Sequence, residues 1–145
     1  MSTFRAFRIS ASGLTAERLR MDTIANNLAN ANTTRTAEGG PYRRQVPVFA
    51  PLLDNSLRGG IGSNNPTGTG QGVQVVGVFS DPSPPRIVYD PQHPDADGDG
   101  YVEMPNVHLV KEMVDLVTAT RSYEANITAL NAAKTMAQKA LEIGR

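Results

Sequence analysis

The residues that interrupt regular structure are confined to the middle of this 145-residue chain. Of the 13 glycines only Gly13 and Gly144 fall outside the stretch from Gly39 to Met104, and all 10 prolines lie inside it except Pro105 at its border. Glycine and proline are the strongest local punctuators of helix and strand. Long helices can therefore be built only at the two ends, with turns and short strands between them. The chain divides into an N-terminal helical segment (1–34), a Gly/Pro-rich middle segment (35–104) and a C-terminal helical segment (105–145).

Each arm carries a heptad stripe. In the N-terminal arm Phe4, Phe7, Ala11, Leu14, Arg18, Met21, Ala25 and Leu28 follow alternating steps of three and four, broken only by Arg18, whose aliphatic stem can lie along apolar surface. Asn26, Asn27, Asn30 and Asn32 then lower helix propensity, and the helix is expected to fray there. In the C-terminal arm Pro105 and Asn106 supply a start signal, with Lys111 and Glu112 on the polar side. Leu109, Met113, Leu116, Thr120, Tyr123, Ile127, Leu130, Lys134, Ala137 and Leu141 form its stripe, and Val107, Val110, Val114 and Val117 lie beside it. The expected fold is mainly α with a small β part, its long terminal helices packed as a coiled-coil-like pair, parallel or antiparallel. The C-terminal arm is the longer by about three turns, so part of its stripe has no partner within the chain. An exposed apolar stripe of that size marks an interface, so helices that complete one another between subunits are expected, with a monomeric hairpin as the alternative.

The middle holds three strand candidates. Tyr42 to Phe49 alternates, but Pro47 restricts it to an edge or bulge. Gly72 to Phe79 has the strongest strand composition, and Pro85 to Tyr89 is the third. Arg58 to Gln71 reads as a flexible Gly-rich loop.

Composition excludes several classes of function. Fourteen basic and 14 acidic side chains cancel, which argues against nucleic-acid binding through a strong basic field and against a polybasic membrane-surface protein. There is no cysteine, hence no disulfide scaffold, thiolate zinc site or cysteine nucleophile. No apolar run approaches the length of about 18 residues that suggests a membrane span. The Arg-punctuated N-terminus lacks the apolar core of a cleaved secretory signal. The neutral total conceals poles, with seven basic against three acidic residues in 1–44, and six acidic against Arg86 in 81–103. Such poles can bias how subunits meet.

No motif carries catalytic chemistry. Asp95, Asp97, Asp99, Gly100 and Val102 match the early positions of a calcium loop, which supports an alternative reading as a small calcium-binding interaction module. The last ligand position, however, falls on Asn106, which cannot give a bidentate carboxylate, and a proline-rich segment stands where the entering helix belongs. A turn with solvated carboxylates is the simpler expectation. The GTGQG run at Gly68–Gly72 precedes a strand, whereas a dinucleotide-binding loop follows one. His93 and His108 have no triad or zinc partners at a suggestive spacing. No catalytic residue, metal ligand or cofactor is assigned, and the chain is not expected to be an enzyme.

The residues from Ile9 to Thr34, ISASGLTAERLRMDTIANNLANANTT, closely resemble the N-terminal motif of the flagellar rod, hook and hook-associated axial proteins. RSYEANITALNAAKTMAQKALEIG in the other arm resembles the paired C-terminal motif, and Tyr89 to Asn126 is similar to the signature of one member of that family. The resemblance implies a structural subunit of the proximal rod, whose terminal helices pack into the core of a tube while the middle segment faces outward. It implies assembly with copies of itself, with neighbouring rod proteins and with basal-body ring and rod-base components. It further implies export through the flagellar type III apparatus without a cleaved signal, to a rod that crosses the periplasm, with no nucleic acid and no direct membrane insertion. The assembly interface is then expected to use Phe4, Phe7, Leu14, Met21, Asn26, Asn27, Leu28 and Asn30 in the first arm. In the second it is expected to use Leu109, Met113, Leu116, Tyr123, Asn126, Ile127, Leu130 and Leu141.

Overall fold

The computed structural model describes residues 2–52 and 70–143. Six elements follow in order: α1 (Ser2–Ala29), β1 (Gln45–Pro51), β2 (Val73–Ser80), β3 (Arg86–Tyr89), β4 (Tyr101–Met104) and α2 (Leu109–Ile143). The chain is mainly α with a small β part, as its sequence predicts. Its helices of 28 and 35 residues run roughly 42 and 52 Å. The strands form two separate two-stranded sheets, β1–β2 and β3–β4. Every strand is therefore an edge, which is why Pro47 and Pro51 are tolerated within β1. The Gly-rich loop expected at 58–71 lies outside the described residues except at Gly70 and Gln71. Gly144, the expected helix stop, also lies outside them.

One expectation about local structure is corrected. Tyr101–Met104, which the sequence suggests is part of the acidic turn, is a strand whose four residues pair with β3. The helix of the first arm runs through Asn26 and Asn27 and stops at Ala29, within the asparagine-rich run where the sequence ends it. Low propensity is overridden at Asn26 and Asn27 because Asn27 is held by bonds from outside the helix, described below.

The chain gathers into two compact units, each drawn from all three segments of the sequence. The first comprises Met1–Arg18, Val48–Gly77 and Thr120–Arg145; the second comprises Leu19–Pro47 and Val78–Ala119. In the first unit α1 meets α2 where Gly13 lies against Asn126, so close that a Cβ on Gly13 would sit 3.1 Å from Asn126 Nδ2. The same stretch of α1 holds the start of β2. Ser12 Oγ donates to Ile9 O at 2.7 Å and accepts from Val73 N at 3.1 Å, and Arg8 Nη2 donates to Gln71 Oε1 at 2.5 Å. Gly72, at φ +127°, passes over this point, and any Cβ there would run into Ser12 Oγ.

In the second unit β3 and β4 are antiparallel, with Ile87 opposite Glu103, Val88 opposite Val102 and Tyr89 opposite Tyr101. Val102 turns inward and is buried, as are Pro105, Val107, Ile24 and Thr23. The Tyr89 and Tyr101 rings meet edge to face at 5.2 Å on the other side of the hairpin. The core of this unit is small, and its largest fully buried side chain is that of Glu112.

Candidate functional site

A carboxylate as the largest buried group requires explanation, because an unpaired charge in a dry interior is strongly disfavoured. Glu112 stands in the first turn of α2, where the sequence places it on the polar face; in the fold it is 0% exposed. Arg44, just before β1, donates from Nε to Glu112 Oε1 at 2.6 Å, and Asn27 Nδ2 donates to Oε2 at 3.1 Å. Both carboxylate oxygens are thus occupied by donors. The guanidinium is shared further, with Asp81 Oδ2 at 3.9 Å and Asp115 Oδ2 at 3.7 Å.

Asn27 is the centre of this network and is 1% exposed. Besides Glu112, its Nδ2 donates to Gln45 O at 2.8 Å. Its Oδ1 accepts from Gln45 N at 2.9 Å and from Tyr42 OH at 3.0 Å. The amide therefore satisfies both backbone groups of Gln45, the first residue of β1, as another strand would. Asn106 acts alike: its Oδ1 accepts from Arg44 N at 2.8 Å, and its Nδ2 donates to Ser83 O at 3.1 Å. The side chain read from sequence as a helix start signal instead ties β1 to the segment before β3. Burial raises the pKa of Tyr42, and the charge of Glu112 adds to the effect. The Asp81 carboxyl is held below its ordinary value chiefly by the Ser83 hydroxyl, then by the Ser83 N–H, with Arg44 contributing less.

The structure distributes the sixteen interface candidates unevenly. On α1, Phe7, Leu14, Met21 and Leu28 are half-buried, whereas the other members of that stripe, Ala11, Arg18 and Ala25, are exposed. Their place is taken one residue earlier by Ser10, Glu17 and Ile24. On α2, Leu116, Tyr123 and Leu130 are half-buried, while Leu109, Met113, Ile127 and Leu141 are exposed. Again the covered positions fall one residue earlier, at Glu112, Ala119, Asn126 and Ala133. Asn27 is buried within the fold, Asn30 is half-buried and Asn26 exposed; the side chain of Phe4 lies outside the described residues.

Both stripes are thus rotated at alternate positions by one residue, about 100° of helix. Helix separation depends on the side chains at the contact, and Gly13, Ala16, Ala119 and Ala133 permit a close approach that Met113 and Ile127 would block. Reading for large apolar residues finds the covered half at Leu116, Tyr123 and Leu130 and leaves Met113 and Ile127 outside it. On α2 small side chains mark the displaced half at Ala119 and Ala133, whereas on α1 the small Ala11 and Ala25 are exposed and Glu17 and Ile24 are covered; nothing in the sequence flags Glu112 or Arg44.

The acidic loop joins β3 to β4. Asp90 N donates to Gly100 O at 3.0 Å and Asp97 N to Tyr101 O at 2.8 Å, closing the hairpin end. Gly100, at φ +80°, is packed so tightly that a Cβ would touch the Tyr89 ring at 3.0 Å. Asp95 accepts from Thr34 Oγ1 at 2.8 Å, and Asp97 and Asp99 are exposed. Among the described residues no three His, Asp or Glu side chains are grouped to hold a metal ion, and no helix is long and apolar enough to cross a membrane.

Two long arms, each with a covered stripe, and large apolar residues of the second left outside describe a chain built around its terminal helices. Residues 7–35 match the family described as Flagella basal body rod protein, and residues 99–143 match Flagellar basal body rod FlgEFG protein C-terminal. These matches place the chain in the class of flagellar basal-body rod proteins. Its relatives include Flagellar basal-body rod protein FlgC of Borreliella burgdorferi, 49% identical over 99% of this chain and 98% of that one. The FlgC proteins of Bacillus subtilis and Escherichia coli O157:H7 are 47% and 41% identical, each with both chains fully covered. The chain belongs to the FlgC family.

Proposed function

We propose that this protein is a structural subunit of the proximal rod, self-assembling through the outward faces of its terminal helices into a tubular drive shaft. The shaft transmits motor torque and surrounds the export channel. Its partners are further copies of this chain, neighbouring rod proteins, and ring and rod-base components. Subunits reach the rod through the flagellar type III export apparatus without a cleaved signal. The observation that carries the rod assignment is the similarity to FlgC proteins over essentially the whole of both chains. The geometry supports the assembly mode. Leu109, Val110, Met113, Val114 and Val117 recur along one side of the first turns of α2 and are all at least half exposed, Val110 the most at 74%. A contiguous apolar surface of this kind favours association. Ile127 and Leu141 extend it toward the far end of the helix.

The test is to place Val114→Asp with Val117→Asp in a flagellated host lacking its own copy of the subunit. The double variant should fold, because both side chains face outward, yet yield no rods and no swimming. Isolated basal bodies of normal appearance from a motile strain would sink the proposed interface.

A further inference from the structure

We infer that the Asp97–Gly98 step, at the tip of the acidic hairpin, is a site of spontaneous modification at which aspartate cyclises to a succinimide and reopens as isoaspartate. The neighbouring Asp99–Gly100 step is protected by the fold. These are the chain's only Asp–Gly steps, and it has no Asn–Gly step. The reaction needs a carboxyl group and, on the next residue, a backbone nitrogen free to attack it. Glycine favours it because no Cβ shields that nitrogen or restricts the dihedral angles.

In the first step Gly98 N attacks Asp97 Cγ. A bond forms between them, the bond from Cγ to its hydroxyl oxygen breaks, and that hydroxyl leaves as water with the amide proton. Water then adds to either carbonyl of the ring. Opening at Cγ restores aspartate. Opening at the α-carbonyl leaves the main chain running through Cβ and Cγ, one carbon longer, with a free α-carboxylate. Nothing is oxidised or reduced.

The two steps are alike in sequence and differ in structure. Asp97 and Gly98 are both exposed, and among the described residues no hydrogen bond occupies Gly98 N. Closure at Asp97 disturbs one bond at the tip of the turn, from Gly100 N to Asp97 O at 2.9 Å. Gly100 is held more firmly. Its N–H is the donor in that bond, its carbonyl accepts from Asp90 N at 3.0 Å, and it is buried at φ +80°. A Cβ on it would meet the Tyr89 ring at 3.0 Å and Pro91 Cβ at 3.2 Å. The residue therefore cannot turn its nitrogen onto the Asp99 carboxyl without pushing these neighbours aside. Attack on Asp99 waits for the hairpin end to open, a larger local unfolding than attack on Asp97 requires.

The test is prolonged incubation of the purified full chain at neutral pH, followed by trypsin, which releases both steps in one peptide, Ile87–Lys111. Isoaspartate is quantified with an isoaspartate-specific methyltransferase and labelled S-adenosylmethionine, whose methyl group passes to the new α-carboxylate as an ester. Electron-transfer fragmentation of the peptide locates it. In the folded chain isoaspartate at position 97 should exceed that at 99 by about tenfold or more, the rate equivalent of leaving one buried hydrogen bond unbroken. In concentrated guanidinium chloride the two positions should react alike, since each aspartate then stands between small residues with nothing packed on it. Asp97→Glu should remove the signal from the folded chain, because glutamate has to close a larger ring, which forms far more slowly. Equal accumulation at 97 and 99 in the folded chain would overturn the inference. So would isoaspartate that forms at 97 only after unfolding.

Discussion

Replacing Asn27 with alanine should lower the unfolding free energy of the isolated chain by about 3–5 kcal/mol. The figure follows from the four hydrogen bonds of the amide, to Gln45 N, Gln45 O, Tyr42 OH and Glu112 Oε2. Tyr42 is half-buried and can partly rehydrate; Glu112 keeps Arg44 but loses the donor on its other oxygen, at 0% exposure. Each buried group left without a partner costs about 1–3 kcal/mol, and two or three such groups give the total. Against a stability of about 5–15 kcal/mol for an ordinary domain, this is a large fraction. Urea unfolding followed by circular dichroism reads it directly. With a slope of about 2 kcal/mol per molar urea, the midpoint should fall by roughly 2 M. Tyrosine emission gives a second probe, since the chain has four tyrosines and no tryptophan. Asn30→Ala is the control: its side chain bonds to Asn26 and accepts from Thr33, both close in sequence, and its loss should cost about 0.5 kcal/mol. A shift for Asn27→Ala as small as that control would refute the assignment of this network as the centre of the second unit.

Gly13→Leu should destabilise by about 1–3 kcal/mol, visible as a lowered thermal midpoint, because a large side chain cannot enter where Asn126 already crowds the helix. Asp81 binds its proton more weakly in the folded chain than in the unfolded one, so it contributes stability above its ordinary pKa of 3.8 that is lost as pH falls through the lower folded value. Asp81→Asn should therefore flatten the acid limb of a stability profile and leave neutral pH less affected. Tyr42 has the opposite sign: its folded pKa lies above the ordinary 10.0, so stability falls as pH rises past that value, and Tyr42→Phe should blunt the alkaline decline. Ile127→Ala, at a side chain 36% exposed, should cost the isolated chain about 1 kcal/mol or less while impairing rod formation. Motile cells with normal basal bodies carrying it would remove Ile127 from the interface.

Much of this molecule was legible in its sequence. Confining Gly and Pro to the middle forces two long terminal helices, since an uninterrupted heptad arm has few other folded forms. Strand-favouring composition at Gly72 to Phe79 and Pro85 to Tyr89 located two strands to within a residue. Even the half of each stripe at Phe7, Leu14, Met21, Leu28, Leu116, Tyr123 and Leu130 was placed on the covered side. The other half was not, because periodicity gives the angle of a helix face only to within a residue. Whether Ile127 or Asn126 turns inward depends on how closely the partner helix comes, which Gly13 decides from across the seam. The burial of Glu112 depends still more on tertiary structure. Local sequence gives a glutamate in a first helical turn every reason to face water; only a fold that brings Arg44 and Asn27 to both its oxygens makes the interior the better place for it.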